Sequence, residues 1–304
     1  MCLVYGRGLM DTEALIEPRR LDVPISNRWG EGSMSVLDFG DPSRPVDLVF
    51  AHANGFNAET YRRLLQPLSG ALRIWAPDLR GHGQTRLPLT TDIRRNWHDH
   101  RDDMVSLLKS IDGAPVALAG HSIGGLSSLL AAAEVPDRVS KLLLLDPVIW
   151  GRLTVALFHI PGFSRIPATV PIVKSTLRRR ADFDTRDQAM QSWRGRGAFK
   201  DWPDAVLADY VRGGLVESAD GVTLACTPQW EASNYASQAH NPWRALRTYK
   251  GPVRVLKAEK ASLCALRNGR MGRNIEVETV EGGGHLFPMT HAALTRDALY
   301  DLAV

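Results

Sequence analysis

The sequence predicts an α/β protein with a mostly parallel, doubly wound sheet and a long helical insertion. Short apolar runs bounded by turn residues recur along the chain, and amphipathic helical patterns lie between them. This alternation is typical of a parallel sheet covered by helices on both faces. It stops between Pro147 and about Pro252 and then resumes, which divides the chain into residues 1–147, an insertion at 148–250 and residues 251–304.

Five apolar runs predict the inner strands of the sheet. Their residues are almost continuously hydrophobic, as in strands that are buried on both faces. The runs are Leu48–Ala51, Ile74–Ala76, Val116–Ala119, Leu142–Leu145 and Val253–Leu256. A sixth stretch, Ile275–Val280, mixes apolar and polar residues and predicts an outer strand with one face in water.

Apolar residues at helical spacing predict three helices between these strands. The spacing i, i+3, i+4, i+7 places one apolar stripe on each helix. The three sets are Tyr61, Leu64, Leu65 and Leu68; Met104, Leu107, Leu108 and Ile111; and Leu126, Leu129, Leu130 and Ala133. We expect a last helix from about His291 to the end of the sequence.

The insertion is predicted to be helical. It is rich in arginine, tryptophan, glycine and proline and contains no pattern of buried strands. A structureless segment of that length does not fit a compact domain, since loops beyond about 15 residues are uncommon. Pro161, Pro167 and Pro171 break its first part into short pieces, and 202–204 and 241–243 contain the residue types that begin helices.

Composition and charge narrow the classes of function. Of the 304 residues, 44% are hydrophobic and 23% are charged, which is typical of globular proteins with a large core. A net charge of +4 is too small to indicate a nucleic-acid partner. Cys2, Cys226 and Cys264 are widely separated and form no paired motif, so we expect neither a disulfide framework nor a zinc site.

Targeting and cofactor signals are not evident in the sequence. Residues 1–10 lack the apolar stretch of a signal peptide, and no run approaches the roughly 18 apolar residues that span a bilayer. His98 and His100 would lie on different sides of a helix and do not predict a metal site. We therefore expect a cytoplasmic protein that acts on a small molecule without a cofactor, and no oligomeric state is predicted.

Ser122 is the predicted nucleophile. It lies in the segment Gly120–Gly124, where a buried strand turns directly into a helix. The segment has the GxSxG pattern in the strand, turn and helix context that this motif requires. Such a turn strains the serine backbone, and the two glycines remove Cβ atoms that would clash. An ordinary serine at a helix N-cap is the alternative interpretation.

His285 is the predicted general base. A serine hydroxyl is a weak nucleophile at neutral pH and needs a neighbouring base, which is usually an imidazole. His285 follows three glycines in a turn after the strand pattern at 275–280. The chain order serine, acid, histidine is the order expected for a nucleophile on this kind of turn.

These motifs together resemble the α/β-hydrolase superfamily. The segment His52–Phe56 is similar to the oxyanion loop of that family, with Ala53 where glycine usually stands. The segments Pro77–Gly83 and Gly284–Pro288 are similar to its loop after the next strand and to its late histidine motif. The resemblance implies the α/β-hydrolase fold and a helical cap, formed by the insertion, over the nucleophile.

The same resemblance implies an oxyanion hole. The first donor is expected to be the backbone N–H of Ile123, the residue after the nucleophile. The second is expected to be the backbone N–H of Asn54. The Asn54 side chain could contribute instead, or could form an Asx turn, and the sequence leaves this open.

The acid of the site departs from the family pattern. Most members carry an aspartate at the position of Ala261. Two carboxylates could replace it: Asp146, which directly follows the run Leu142–Leu145, and Glu259, two residues before Ala261. Some members place the acid at the position of Asp146, and ligand sites form at the carboxyl edge of parallel sheets. We therefore favour Asp146 and keep Glu259 as the second choice.

The side chains of the insertion do not identify the substrate. Its many aromatic rings are expected to form mostly a core of their own, with a few facing an apolar pocket. The arginines at 178–180 and at 194 and 196 either form a solvated face, which is the interpretation we favour, or attract an anionic substrate.

The sequence therefore predicts a serine hydrolase that cleaves small to medium, largely apolar carboxylic esters through an acyl-enzyme. Family members that act on halides or epoxides use aspartate at the position of Ser122, so these substrates are disfavoured. Another serine chemistry on the same fold is an alternative, namely C–C bond or thioester hydrolysis, perhydrolysis or acyl transfer. A non-catalytic ligand-binding protein is the other alternative, because Ala261 occupies the usual acid position.

Overall fold

A computed structural model describes residues 17–91, 94–160 and 170–304 of the chain. The strands, in chain order, are β1 (Arg19–Asn27), β2 (Gly30–Phe39), β3 (Leu48–Ala51), β4 (Ile74–Pro77), β5 (Val116–His121), β6 (Val139–Leu145), β7 (Asp182–Phe183), β8 (Leu215–Ser218), β9 (Gly221–Leu224), β10 (Val253–Ala258), β11 (Gly269–Met271) and β12 (Ile275–Val280). The α-helices are α1 (Arg62–Leu65), α2 (His98–Ser110), α3 (Ile123–Glu134), α4 (Arg152–Phe158), α5 (Pro171–Leu177), α6 (Arg186–Trp193), α7 (Asp204–Gly214), α8 (Pro228–Ala236), α9 (Pro242–Thr248), α10 (Phe287–Thr290) and α11 (Ala292–Ala303).

Nine of these strands form one sheet in the order β1-β2-β4-β3-β5-β6-β10-β12-β11. The six strands from β4 to β12 in this order run parallel to one another. The hairpin of β1 and β2 extends one edge antiparallel, and β11 extends the other edge antiparallel. The prediction of an α/β fold with a mostly parallel sheet is confirmed.

Buried apolar side chains cover both faces of this sheet. Successive residues of a strand point to opposite faces, so Leu143 and Leu145 of β6 join one cluster while Leu142 and Leu144 join the other. Helices α1 and α11 pack in the first cluster, and α2, α3 and α9 pack in the second. This two-sided burial explains why the inner strands are continuously hydrophobic.

Several elements differ from the sequence prediction. All five apolar runs form strands, but Ile275–Val280 is not outermost, because the short β11 pairs on its outer side. The first predicted helix is interrupted: 3-10 turns at 58–61 and 66–68 flank α1, and Pro67 supplies no backbone donor for a continuous helix. No apolar pattern predicts β1 and β2, because an edge hairpin is only partly buried.

The segment between β6 and β10 holds helices α4 to α9 and a small antiparallel sheet in the order β7-β9-β8. The predicted helix starts at 202–204 and 241–243 are the starts of α7 and α9, and Pro171 begins α5. Pro161 and Pro167 lie outside the described residues. The small sheet is not predicted, because its strands are short and mix polar with apolar residues, which leaves neither a continuous apolar run nor a clear alternation. Among the helices described, none combines the length and the apolar character needed to cross a bilayer.

Candidate active site

Ser122 lies on a sharp turn between the central strand β5 and helix α3. Its backbone has φ of 57° and ψ of −118°, a conformation that non-glycine residues rarely adopt. A Cβ atom on Gly124 would lie 2.3 Å from the carbonyl oxygen of Ala51, and one on Gly120 would lie 2.5 Å from the carbonyl carbon of Gly124. The backbone can therefore make this turn only because both positions are glycine.

His285 lies between Ser122 and Asp146. Its Nε2 atom is 3.0 Å from the Ser122 hydroxyl oxygen, and its Nδ1 atom is 2.5 Å from Oδ2 of Asp146. A carboxylate can only accept a hydrogen bond, so Nδ1 carries the ring proton and donates a hydrogen bond to Asp146. In the neutral ring Nε2 is then an acceptor for the Ser122 hydroxyl proton.

Asp146 is fully buried and is held by several donors at the carboxyl edge of the sheet. Its Oδ1 accepts from the Ser262 hydroxyl at 2.5 Å and from the Ala258 backbone N–H at 2.9 Å, and its Oδ2 accepts from the Leu263 N–H at 3.2 Å. Burial raises the pKa of Asp146, but the hydrogen bonds from His285, Ser262 and Ala258 lower it by more, so the net pKa lies below its usual value. The carboxylate is therefore ionised at neutral pH.

Glu259, the second choice for the acid, lies elsewhere. Its side chain is exposed, and its Oε2 atom accepts from the backbone N–H of Gly282 at 2.8 Å. The structure thus places Asp146, and not Glu259, against His285. Ala261 has a left-handed backbone with φ of 54°. Ser262 was missed in the sequence, although a polar residue beside the position of the usual acid is a signal for it.

The loop His52–Phe56 places Asn54 on the wall of the cavity that Ser122 and Ile123, the first residue of α3, also line. The Asn54 side chain makes no Asx turn. Its Nδ2 atom donates to the backbone oxygen of Glu231 at 3.1 Å, and its Oδ1 atom accepts from Asn234 at 2.7 Å. Within the part of the chain that the structure describes, the backbone N–H groups of Asn54 and Ile123 have no acceptor.

A chain of buried hydrogen bonds links this loop to the turn that carries His285. The backbone N–H of Ala53 donates to the Tyr61 hydroxyl at 3.2 Å, and that hydroxyl lies within hydrogen-bond distance of His121 Nδ1. His121 Nε2 lies 2.8 Å from the backbone oxygen of His285, to which it donates. Burial lowers the pKa of His121 to about 3, so the ring is neutral at pH 7. Its Nδ1 atom then accepts a hydrogen bond from the Tyr61 hydroxyl.

Two further histidines of the motifs hold loops in place. Nε2 of His52 accepts from the Leu79 N–H at 2.8 Å, and Nε2 of His82 accepts from the Gly55 N–H at 3.1 Å. Both rings are fully buried, and burial lowers the pKa of each. The described residues contain no group of three side chains arranged to hold a metal ion.

Comparison with known proteins identifies the family. The sequence profile of the Alpha/beta hydrolase family matches residues 48–298. The chain belongs to the alpha/beta hydrolase family. It is 30% identical over 142 residues to the magnesium-chelatase 30 kDa subunit of Rhodobacter capsulatus, a match that covers 45% of this chain and 48% of that protein. It is 33% identical over 109 residues to human monoglyceride lipase, which covers 34% of this chain and 36% of the lipase.

The matched stretch spans less than half the length of either relative. Among solved structures, that of E-2-(acetamidomethylene)succinate hydrolase superposes on this alpha/beta hydrolase with a TM-score of 0.75. The superposition covers 93% of this chain and 99% of the other, at 19% sequence identity. The likeness shows a shared fold.

The cavity of this alpha/beta hydrolase has a volume of about 810 Å³ and is lined mainly by apolar side chains. Ser122 and His285 lie on its wall. Most of the lining residues belong to the insertion, whose aromatic contributors are Trp150, Trp193, Phe199 and Tyr235, while the core contributes Phe56 and Trp97. The rings of Trp193, Phe199 and Tyr210 also pack against one another, so the predicted aromatic core and the predicted apolar pocket share residues.

Helix α8 of the insertion is attached directly to the core of the alpha/beta hydrolase. The indole N–H of Trp230 donates to the backbone oxygen of Arg80 at 2.8 Å, and the guanidinium of Arg94 lies 4.5 Å from the Trp230 ring. A Cβ atom on Gly81 would lie 2.3 Å from the Trp230 indole nitrogen, so the contact requires glycine there. Through Asn54 and Asn234, the same helix also contacts the loop beside Ser122.

Proposed function

We propose that this protein hydrolyses carboxylic esters of small to medium, largely apolar substrates through an acyl-enzyme on Ser122. The observation that carries the proposal is the contact of His285 with the Ser122 hydroxyl at 3.0 Å, on the wall of an apolar cavity of about 810 Å³. Asp146 on the other side of the imidazole supports it. The similarity to a protein named as a lipase supports the ester substrate class.

In the first half of the proposed reaction, the Ser122 oxygen attacks the ester carbonyl while His285 Nε2 takes the hydroxyl proton. Asp146 stays ionised and stabilises the imidazolium that forms. The backbone N–H groups of Ile123 and Asn54 donate to the developing oxyanion, and one such donor contributes about 2.7–4 kcal/mol to the transition state. His285 then protonates the departing alcohol, which leaves the acyl group on Ser122.

In the second half, a water molecule takes the place of the alcohol. His285 removes a proton from this water as its oxygen attacks the acyl carbonyl, and the imidazolium then returns the proton to the Ser122 oxygen as the acid leaves. We propose that the insertion acts as a cap during these steps. Its aromatic side chains line the same cavity as Ser122, and in this proposal they exclude bulk water and select the shape of the substrate.

A panel of p-nitrophenyl esters of increasing acyl length tests the proposal. We expect a burst of p-nitrophenol equal to the enzyme concentration, because these activated esters acylate the serine faster than water hydrolyses the acyl-enzyme. We also expect stoichiometric labelling by a fluorophosphonate. The Ser122→Ala variant should show neither. Ser127→Ala is the matched control, because Ser127 lies buried on the same helix and its hydroxyl has no partner among the described residues.

The outcomes separate the alternatives. Labelling of Ser122 without turnover of any ester would favour another serine chemistry, such as C–C bond or thioester hydrolysis, perhydrolysis or acyl transfer. A folded protein that is neither labelled nor active would favour a ligand-binding role and would contradict the proposal.

A further inference from the structure

The cavity wall carries one positive charge that no acidic side chain of the described residues balances. We infer that the substrate carries one carboxylate group, separate from the bond that is cleaved, and that Arg196 binds it. The inference rests on the proposed function, because it names the class of substrate that would occupy the same cavity.

The other charges of the cavity wall neutralise each other. Arg179 and Glu231 both line the cavity, and Nη1 of Arg179 lies 2.9 Å from Oε2 of Glu231. Nη2 of Arg179 also donates to the Tyr210 hydroxyl at 2.5 Å. Glu231 is buried, and the side chain of Arg179 is only 22% exposed, so the pair is part of the structure of the wall. Arg196 is left as the excess charge.

The neighbouring arginines are either paired or distant from the cavity. Arg194 forms an ion pair with Asp204 at 2.8 Å, and Arg180 bonds to the Asp182 carbonyl and to Gln188. Arg178 is exposed and does not line the cavity. In the two arginine runs of the insertion, Arg196 alone combines a place on the cavity wall with the lack of an acidic partner among the described residues. The preceding part of the insertion that the structure does not describe, residues 161–169, contains no Asp or Glu.

The surroundings of Arg196 leave room for a carboxylate to approach its guanidinium. Gly195 and Gly197 flank it with φ of 68° and 53°, and no atom lies within 4 Å of the place where a Cβ on either glycine would stand. The turn is therefore open around the arginine. The apolar rings of Trp193 and Phe199 line the same cavity, so they can contact the apolar part of a substrate whose carboxylate meets Arg196. A guanidinium binds a carboxylate through two parallel hydrogen bonds, and one cation balances one monoanion.

The test compares two substrates of equal length that differ in one charge. Mono-p-nitrophenyl esters of adipic, suberic and sebacic acid carry a free carboxylate, and the corresponding p-nitrophenyl esters with a terminal amide are neutral. For at least one length we expect the wild-type kcat/KM to be higher for the acid, by about fivefold for a partly solvated ion pair. The preference should shrink as salt is added, because the arginine is exposed.

Variants assign this preference to one side chain. Arg196→Gln should bring the ratio of the two kcat/KM values close to one, through a higher KM for the acid alone, and Arg196→Lys should retain part of the preference. Arg194→Gln is the matched control, since its guanidinium pairs with Asp204, and it should leave the ratio unchanged. Equal rates for both substrates in the wild type, or an unchanged ratio in Arg196→Gln, would overturn the inference.

A binding measurement keeps the inference testable if no ester is cleaved. In the inactive Ser122→Ala protein, octanoate should raise the melting temperature more than octanamide does. The additional replacement Arg196→Gln should remove this difference. Equal effects of octanoate and octanamide would overturn the substrate class. Hydrolysis of the neutral amide-terminated esters by Arg196→Gln would at the same time uphold the ester chemistry.

Discussion

The Tyr61 hydroxyl lies 2.6 Å from Nδ1 of His121, the residue that precedes Ser122. This contact joins the Ala53 N–H on one side to the backbone oxygen of His285 on the other. The Tyr61 hydroxyl and the His121 ring each accept one hydrogen bond and donate one, so all the bonds run in the same direction from Ala53 to His285. The three loops that carry Asn54, Ser122 and His285 are therefore fixed relative to one another by side chains that do not touch the cavity.

Removal of the Tyr61 hydroxyl should slow the reaction without weakening substrate binding. In Tyr61→Phe the Ala53 N–H loses its acceptor and His121 loses its donor, so the oxyanion loop can shift by a fraction of an ångström. We expect kcat to fall by about tenfold or more at unchanged KM, because catalysis depends steeply on alignment. Steady-state kinetics on one p-nitrophenyl ester measures this. Tyr300→Phe on α11 is the control and should change neither kcat nor KM. A Tyr61→Phe protein with a changed KM and an unchanged kcat would contradict the positioning role.

The two candidate acids, Asp146 and Glu259, should respond very differently to neutralisation. Asp146→Asn removes the acceptor that fixes the protonated Nδ1 of the imidazole, and the expected loss of kcat is roughly 10³–10⁴-fold. Glu259→Gln changes an exposed side chain that bonds to Gly282, so we expect nearly full activity. Both variants are compared by burst kinetics and by circular dichroism. If the first variant were active and the second were not, Asp146 would not be the acid.

The turn at Ser122 should not tolerate a methyl group. In Gly124→Ala the new Cβ would stand 2.3 Å from the Ala51 carbonyl oxygen, and backbone cannot yield as a flexible side chain can. We expect a loss of about 1–3 kcal/mol in the free energy of unfolding and a loss of fluorophosphonate labelling. Urea unfolding checks the first effect. Gly151→Ala, where no atom lies within 4 Å of the added Cβ, should leave stability and labelling intact.

The buried histidines predict that the protein is less stable in acid. Burial lowers the pKa of His52, His100, His121 and His240 to about 3, against about 6.5 in an unfolded chain. Between these values the unfolded chain binds more protons than the folded one, so stability is complete above about pH 6.5 and falls as the pH drops below it. Each histidine contributes a slope of about 1.4 kcal/mol per pH unit.

Urea unfolding at pH 8, 7, 6 and 5 measures this slope. His240→Phe serves as the matched variant, because neither ring nitrogen of His240 has a partner among the described residues and the ring stacks on Trp97. The His240→Phe replacement should reduce the slope of the unfolding free energy against pH, below pH 6.5, by about 1.4 kcal/mol per pH unit. A free energy of unfolding that stays constant from pH 8 to pH 5 would mean that these rings are not held neutral by the fold.

The sequence predicts the parallel centre of the sheet well, because burial on both faces leaves an unmistakable pattern. Leu142–Leu145 and Val253–Leu256 are apolar at every position except Arg254, and both are strands. Short strands that mix polar with apolar residues leave no such pattern. For this reason neither β11 nor the small sheet of the insertion is evident before the fold is known.

The candidate site is predictable where a residue type is required by the local backbone. Ser122 is recognised by the glycines that its turn needs, and His285 by the glycines before it. The direction of the Asn54 side chain is different, since it depends on Glu231 and Asn234, about 180 positions later. Ser262 likewise gains its role only when β6 and β10 lie side by side. Contacts between distant segments therefore account for what local patterns miss.

The attachment of α8 to Arg80, Arg94 and Asn54 matters to anyone who wishes to alter substrate range by exchanging segments with a relative. A chimera that replaces the whole stretch 148–250 would also discard the helix whose residues bond to Asn54 in the loop beside Ser122. An exchange that ends before Thr227 would retain that helix and would still bring in new side chains at positions 170–199. Redesign of specificity should thus treat residues 228–236 as belonging to the catalytic half of the molecule.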